Sequence, residues 1–210
     1  MKSKAVRELV LYALFVAFTM VLGLTDLGYI LLPIGVYMTL MHIPVIIAGI
    51  SLGVKGGAIV GAFFGLTSLI KGLTAPDAIA AIILGDGAGL GLYNLLLIIM
   101  VIFVPRILVG VFSSLIYKGL SKIDKSEIVA MIFAAIVGTL TNTILLLGFL
   151  SLFATQQAAN VLADGAVNML FGAIMAIVSL NGMIEAGAAV ILCVPIGKAI
   201  RIYQKRSNVA

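Results

Sequence analysis

Residues 101–112 read VIFVPRILVGVF and residues 179–192 read SLNGMIEAGAAVIL, and each apolar stretch carries a single charge. The charges are Arg106 in the first stretch and Glu185 in the second. A charge near the bilayer centre costs at least about 2.5–3.5 kcal/mol, so it usually faces a bundle interior or a wet cavity. The two stretches therefore predict membrane-spanning helices with a functional site between them.

The rest of the chain has the same apolar character. Of its 210 residues, 63% are hydrophobic and 10% are charged, and the mean hydropathy is +1.29. A soluble domain has about 25% charged residues. The composition predicts an integral membrane protein with one domain over residues 1–210. Basic residues flank apolar segments, so the pI of about 9.4 does not indicate nucleic-acid binding. One histidine and one cysteine argue against a zinc site built by this chain.

Six segments are apolar enough to be transmembrane helices, which need about 20 such residues. They cover about 5–25, 40–54, 56–72, 103–120, 126–153 and 172–203. Gly53-Val-Lys-Gly-Gly57 predicts a tight hairpin between the second and third segments. Pro105 leaves the start of the fourth helix open, and a partial helix at 92–104 is an alternative. The predicted fold is an all-α, six-helix transmembrane bundle.

The basic residues predict that both termini are cytoplasmic. That orientation places 11 of the 13 basic residues inside, as the positive-inside rule requires. Long loops, at about 26–39, 73–102 and 154–171, then lie outside, where they predict a lid over an outward-facing pocket. Within the second loop, the glycine-rich run 85–91 is interpreted as a flexible loop or a lid. Asp124-Lys-Ser-Glu127 predicts a capping box that opens the fifth helix.

Polar residues of four segments lie at one predicted depth. His42, Arg106, Asn142 and Glu185 are each roughly 18–22 Å above the cytoplasmic charge of their segment, at about 1.5 Å per residue. Asn181 shares the face of Glu185 one turn above it. This layer predicts a pocket for a small polar solute. Each residue also has an interpretation that involves no ligand. Arg106 could reach the lipid headgroups or form an ion pair with Glu185. Asn142 could form a hydrogen bond between helices, and His42 could be simply the first residue of a helix.

Small residues four positions apart predict close helix contacts. Such seams occur at Ala13 and Ala17, at Gly57, Gly61 and Gly65, and at Ala130, Ala134 and Gly138. The chain contains no G-x-x-x-x-G-K-[ST] loop for ATP. A binding pocket without its own source of energy predicts partner subunits.

Several strings, taken in order, resemble the substrate-binding membrane subunit (S component) of energy-coupling factor vitamin transporters. They are Met41-His-Ile-Pro-Val-Ile46, Leu52-Gly-Val-Lys-Gly-Gly57, Phe63-Phe-Gly-Leu-Thr-Ser68, Pro105-Arg-Ile-Leu-Val-Gly110, Gly138-Thr-Leu-Thr-Asn-Thr143 and Asn181-Gly-Met-Ile-Glu-Ala186. The resemblance implies a multi-pass protein of the bacterial plasma membrane that binds a vitamin and topples to deliver it inward. It also implies a transmembrane coupling protein, which contacts Ala13 and Ala17, and two cytoplasmic ATPases that use ATP and Mg²⁺. The chain itself would hold no cofactor or metal and would not be an enzyme.

The pattern most resembles the pantothenate-type subunit, which implies a ligand with a carboxylate, an amide and hydroxyls. Arg106 would then bind the carboxylate, Asn142 and Asn181 the amide and hydroxyls, and Glu185 a hydroxyl or Arg106 itself. His42 completes the predicted site. An S component for riboflavin or folate, and an autonomous channel or secondary carrier, are the alternatives. An intramembrane enzyme that uses Glu185 and His42 is a third, which the sparse set of catalytic residue types disfavours.

Overall fold

The computed structural model describes residues 2–31, 37–76, 80, 82–83, 92–162 and 165–209. Within these ranges, five helical stretches are long and apolar enough to cross a membrane, and one of them, His42–Thr74, is divided at Gly53. They are Val6–Leu24, His42–Thr74, Leu92–Leu120, Ile128–Phe153 and Ile174–Arg206. That the bundle has six transmembrane helices, and that both termini are cytoplasmic, remain predictions. The glycine-rich run 85–91, interpreted as a flexible loop or a lid, lies outside the described residues.

The described elements are almost entirely helical. The first four are α1 (Lys2–Leu24), the antiparallel strands β1 (Tyr29–Leu31) and β2 (Tyr37–Thr39), and α2 (His42–Thr74). They are followed by α3 (Leu92–Leu120), α4 (Ile128–Phe153), α5 (Thr155–Leu162) and α6 (Val167–Val209). Two expectations are corrected. The loop expected at 26–39 contains the paired strands β1 and β2, and the loop expected at 154–171 contains α5 and the start of α6.

Helix α2 breaks at Gly53, as the glycine-rich hairpin predicted. Gly53 has φ +77° and ψ −168°, a conformation that a side chain disfavours. A Cβ on Gly49 would lie 2.7 Å from the carbonyl oxygen of Gly110, and a Cβ on Gly57 would lie 2.5 Å from the same atom. Eight residues of straight helix rise about 12 Å, so only a reversal brings both positions to one atom. The two arms of α2 therefore form a hairpin against α3.

Helix α3 begins at Leu92, eleven residues before the predicted start at 103. Its first turns, Leu92–Leu97, continue into a π-helical segment, Ile98–Phe103, and then into α-helix over Val104–Leu120. The alternative of a partial helix at 92–104 is thus close to the structure, except that no break separates it from the rest. Pro105 is tolerated because it lies at the start of the second α-helical part.

Buried apolar side chains form two clusters at different heights of the bundle. The larger cluster includes Ile46, Val60, Val109, Ala134 and Cys193. The smaller cluster includes Leu97, Val101, Leu147, Ala158 and Ile174. Along α3, α4 and α6, the residues between the two clusters are the ones that carry the predicted polar layer. The fold therefore places that layer between two apolar blocks.

Backbone contact between Gly57 and Gly110 leads to the first stability prediction. A Cβ on either residue would meet backbone atoms of the other, which cannot rotate away. Gly110→Ala is expected to lower the free energy of unfolding by about 1–3 kcal/mol, the usual cost of overpacking. The matched control is Gly119→Ala in the same helix, where nothing lies within 4 Å of an added Cβ. That control should be neutral or stabilising by up to about 1 kcal/mol. Thermal unfolding in detergent measures both, and equal melting temperatures for the two variants would contradict the close contact.

The turn before α4 corrects the predicted capping box. Asp124 accepts hydrogen bonds from the N–H and hydroxyl of Ser126 and, at 3.1 Å, from the N–H of Ala130. These bonds, the one from Ser126 foremost, hold the pKa of Asp124 below its usual value. Glu127 has φ +61° and makes no cap hydrogen bond with its side chain. The capping-box pattern correctly predicted that Asp124 bonds the first turn of α4. It was wrong that the Glu127 side chain does so, because Glu127 bonds residues of other helices.

Those partners are on α3 and α6. The Glu127 carboxylate accepts hydrogen bonds from the Tyr117 hydroxyl at 3.0 Å and from Lys205 Nζ at 2.7 Å, and Arg201 Nε lies 3.5 Å away. The carboxyl is partly buried, which alone would raise its pKa, but the bonds from Lys205 and Tyr117 and the charge of Arg201 lower the pKa overall. Glu127 thus joins the ends of three helices on one side of the bundle.

Because the pKa of Glu127 is lower in the folded protein than in the unfolded chain, the ionised carboxylate stabilises the fold at pH values above the ordinary glutamate pKa. This stabilisation is lost as the pH falls through the pKa of Glu127 in the folded protein. Glu127→Gln should remove this contribution, about 1 kcal/mol for so exposed a set of partners. The variant is expected to melt earlier than the wild type near pH 7, and the difference should shrink as the pH falls below about 4. Melting curves at several pH values measure it. A difference that is the same at all pH values would contradict the proposed ionic role.

Candidate functional site

All five residues of the predicted polar layer are buried, and none is more than 8% exposed. His42 begins α2, Arg106 lies in α3, Asn142 in α4, and Asn181 and Glu185 lie in α6. Four helices therefore contribute to the layer. Because the low-dielectric surroundings make each unbonded polar atom costly, the polar contacts among these residues decide what the site can bind.

Glu185 is the centre of these contacts. Its Oε1 accepts a hydrogen bond from the backbone N–H of Thr39, with an N···O distance of 2.7 Å. The side chains of Thr143 and Asn181 also approach the carboxylate, and Arg106 is close enough to interact with it electrostatically. Thr39 ends β2, so Glu185 connects the paired strands β1 and β2 to the layer. Arg106 interacts with Glu185 electrostatically, and outside the layer Glu127 forms ion pairs with Arg201 and Lys205.

Arg106 is buried inside the bundle, with 8% of its surface exposed. Its Nη1 donates to the carbonyl oxygen of Val101 at 2.6 Å. The guanidinium carbon lies 5.4 Å from the centre of the Phe64 ring, within the range of a cation–π contact. The interpretation that Arg106 reaches the headgroups is therefore wrong for the structure described.

The remaining three predicted residues keep polar atoms without hydrogen bonds among the described residues. These atoms are Nδ1 and Nε2 of His42, Oδ1 of Asn142 and Oδ1 of Asn181. The ring of His42 lies near the backbone of Thr39 and Glu185, but neither nitrogen bonds to it with good geometry. Unbonded buried polar groups are rare in folded proteins and need a ligand or water. The layer therefore has acceptors and donors available for a bound polar molecule.

The structure brings His42, Arg106, Asn181 and Glu185 together but does not join Asn142 to them through a described contact. Its neighbour Thr143 faces Glu185 instead. Sequence reasoning missed Thr143, Phe64 and the backbone of Thr39. Thr143 lay within a recognised string, but a threonine in a helix commonly bonds its own backbone, as Thr143 does to Thr139 at 3.4 Å. The role of Thr39 depends on its N–H, which no sequence pattern reveals.

The site offers a cation, a carboxylate, amides and an imidazole between apolar walls. That combination suits a small molecule with an anionic group and several hydrogen-bonding groups. Among the described residues, no three histidine, cysteine, aspartate or glutamate side chains are close enough to hold a metal ion.

Helix α1 presents its small residues outward. Ala13 and Ala17 are exposed, whereas Phe15 and Thr19, on the opposite face of the same helix, are buried against α2. Leu14, Phe18 and Val21 are also exposed, each by more than half. The seam at Ala13 and Ala17 is therefore not used for packing within the described chain.

Comparisons with known proteins agree on one family. A family model described as "ECF transporter, substrate-specific component" matches residues 7–197. The chain is 32% identical to the pantothenic acid transporter PanT of Lactococcus lactis subsp. cremoris, over 95% of this chain and 96% of that protein. It is 26% identical to the pantothenate transporter PanT of Leuconostoc mesenteroides subsp. mesenteroides, over 100% of this chain and 99% of that protein.

Proposed function

The chain belongs to the family of ECF transporter substrate-specific components, multi-pass proteins of the bacterial cell membrane, and from this membership we propose that it binds pantothenate for uptake. The observation that carries the proposal is the buried polar layer with unbonded amide and imidazole atoms. Pantothenate has one carboxylate, one secondary amide and two hydroxyls. These groups are chemically matched to a guanidinium, two carboxamides, an imidazole and a carboxylate.

Charge decides how pantothenate would be oriented. Glu185 repels a second carboxylate, so the ligand carboxylate belongs on the Arg106 side of the layer, where a planar guanidinium forms paired hydrogen bonds. The ligand hydroxyls can donate toward Glu185, and the amide can pair with Asn181 and Asn142. His42 supplies a further donor or acceptor.

The proposed transport cycle depends on partners. The outward face of α1 with Ala13 and Ala17 would contact a transmembrane coupling protein, since small residues allow two helices to approach closely. Two cytoplasmic ATPases, with ATP and Mg²⁺, would supply the energy for a six-helix bundle, with both termini inside, to topple and release the vitamin inward. This chain would contribute binding and no catalysis.

Native mass spectrometry of the purified chain, followed by titration with pantothenate, riboflavin and folate, tests the ligand. Retention of pantothenate and a submicromolar affinity for it are expected, with at least 100-fold weaker binding of the other two, about 2.7 kcal/mol. Retention of another vitamin would reassign the substrate. Uptake by proteoliposomes that contain this chain alone would instead show an autonomous carrier.

A further inference from the structure

The Val101 carbonyl, which accepts the hydrogen bond from Arg106, lacks its usual backbone N–H donor because residue 105 is a proline. In an α-helix, the N–H of residue 105 would donate to the carbonyl of residue 101, four residues earlier. Pro105 has no N–H, so it cannot make this bond. The Val101 carbonyl instead accepts Nη1 of Arg106 at 2.6 Å. The residue directly before the arginine thus leaves open the carbonyl that the arginine uses.

The backbone around Val101 is also irregular. Residues Ile98–Phe103 are π-helical, and the N–H of Val104 donates to the carbonyl of Ile99, five residues back. In this π register the N–H of residue 105 would donate to the Met100 carbonyl, and in the α register that resumes at Val104 it would donate to Val101. Pro105 can make neither bond, so it ends the π-helical segment and leaves the Val101 carbonyl without this donor. Single-turn π segments inside α-helices frequently lie at functional sites. Here the segment ends three residues before the charged member of the layer.

Helix α2 fixes the other end of Arg106. A Cβ on Gly61 would collide with the Arg106 carbonyl, so the two backbones are in direct contact. The Phe64 ring, one turn further along α2, lies against the guanidinium. The backbone of Arg106 is therefore held by Gly61 and its side chain by Val101 and Phe64. The guanidinium also lies within electrostatic reach of Glu185.

We propose that Pro105 is a positioning residue for ligand binding: by leaving the Val101 carbonyl to Arg106, it fixes the guanidinium before the ligand arrives. A long side chain that is already ordered loses less conformational entropy when it binds. An alanine at 105 would supply an N–H that competes for Val101, and Arg106 would lose or share its anchor. This inference rests on the proposed vitamin-binding function, and the test below separates the two.

The first arm of the test measures pantothenate affinity of the purified full-length chain. Pro105→Ala is expected to weaken binding roughly three- to tenfold, the cost of ordering one long side chain. Pro195→Ala is the matched control, because Pro195 also lies inside a helix but is exposed and outside the layer. It should change the affinity less than twofold. Equal effects of the two substitutions, or none from Pro105→Ala, would overturn the proposal.

The second arm needs no ligand. Melting temperatures in detergent are compared for the wild type, Pro105→Ala, Arg106→Met and the double variant. If Pro105 acts through Arg106, then Pro105→Ala should shift the melting temperature by a different amount when residue 106 is methionine. Identical shifts in both backgrounds would mean that the proline has only a local structural role, and the inference would fail. A wild type that does not bind pantothenate would refute the proposed function, while this arm would still decide the role of Pro105.

Discussion

Arg106→Ala is expected to lower the affinity for pantothenate by about 30-fold to several thousand-fold, because removing one side of a buried charged contact costs about 2–5 kcal/mol. Arg106 is buried, and its guanidinium is held by Val101 and Phe64 inside the layer. Alanine would remove the cation opposite the ligand carboxylate and leave Glu185 without its nearby positive charge. Isothermal titration of the purified variant measures the loss.

Arg106→Lys is the control for charge alone. Lysine keeps the positive charge but has no planar fork, so its affinity should lie between those of the wild type and the alanine variant. Size-exclusion chromatography and circular dichroism should show that both variants remain folded. Wild-type affinity in Arg106→Ala would place the vitamin elsewhere in the bundle.

Ala13→Leu is expected to abolish vitamin uptake by the assembled transporter while leaving vitamin binding unchanged. Residue 13 is exposed on α1, so a leucine there meets no described side chain of this chain. At a helix–helix contact built on small residues, three added carbons would force the helices apart. Uptake of labelled pantothenate by proteoliposomes with all partner subunits, beside a binding titration of the isolated chain, measures the two effects separately.

The matched control for Ala13→Leu is Ala13→Ser, which keeps the side chain small. Its uptake should be close to that of the wild type. Loss of binding in Ala13→Leu would mean that α1 supports the pocket itself. Normal uptake would mean that the partner contacts another face of the bundle.

The main features of the site could be predicted because they depend on residue type and spacing. Arg106 and Glu185 are conspicuous as charges in apolar segments. Counting the helical rise per residue predicted that His42 and Asn142 lie at about the same height as these two charges. The hairpin at Gly53 was also readable, since its glycines permit a backbone conformation that other residues avoid. These predictions needed no knowledge of which helices are neighbours.

The features that were missed depend on backbone geometry. The apolar residues of Ile98–Phe103 fit α- and π-helical registers equally well, so the register change within α3 had no signal. The bond from Thr39 to Glu185 uses a main-chain N–H, 146 residues away in sequence. Glu127 was assigned to a capping box because the pattern is local, whereas its actual partners, Arg201 and Lys205, lie over 70 residues further along the chain.

The contact between Gly57 and Gly110 has a consequence for how this protein can change over generations. Where a large and a small side chain meet, an enlargement on one helix can be offset by a reduction on the other. At a contact between two glycines no such compensation is possible, since neither residue can become smaller and each faces main-chain atoms of the other. In a library of random variants under selection for uptake, positions 57 and 110 should therefore remain fixed and acquire no second-site suppressors at each other. Gly119, Gly148 and Gly187, which have open space around them, should drift freely.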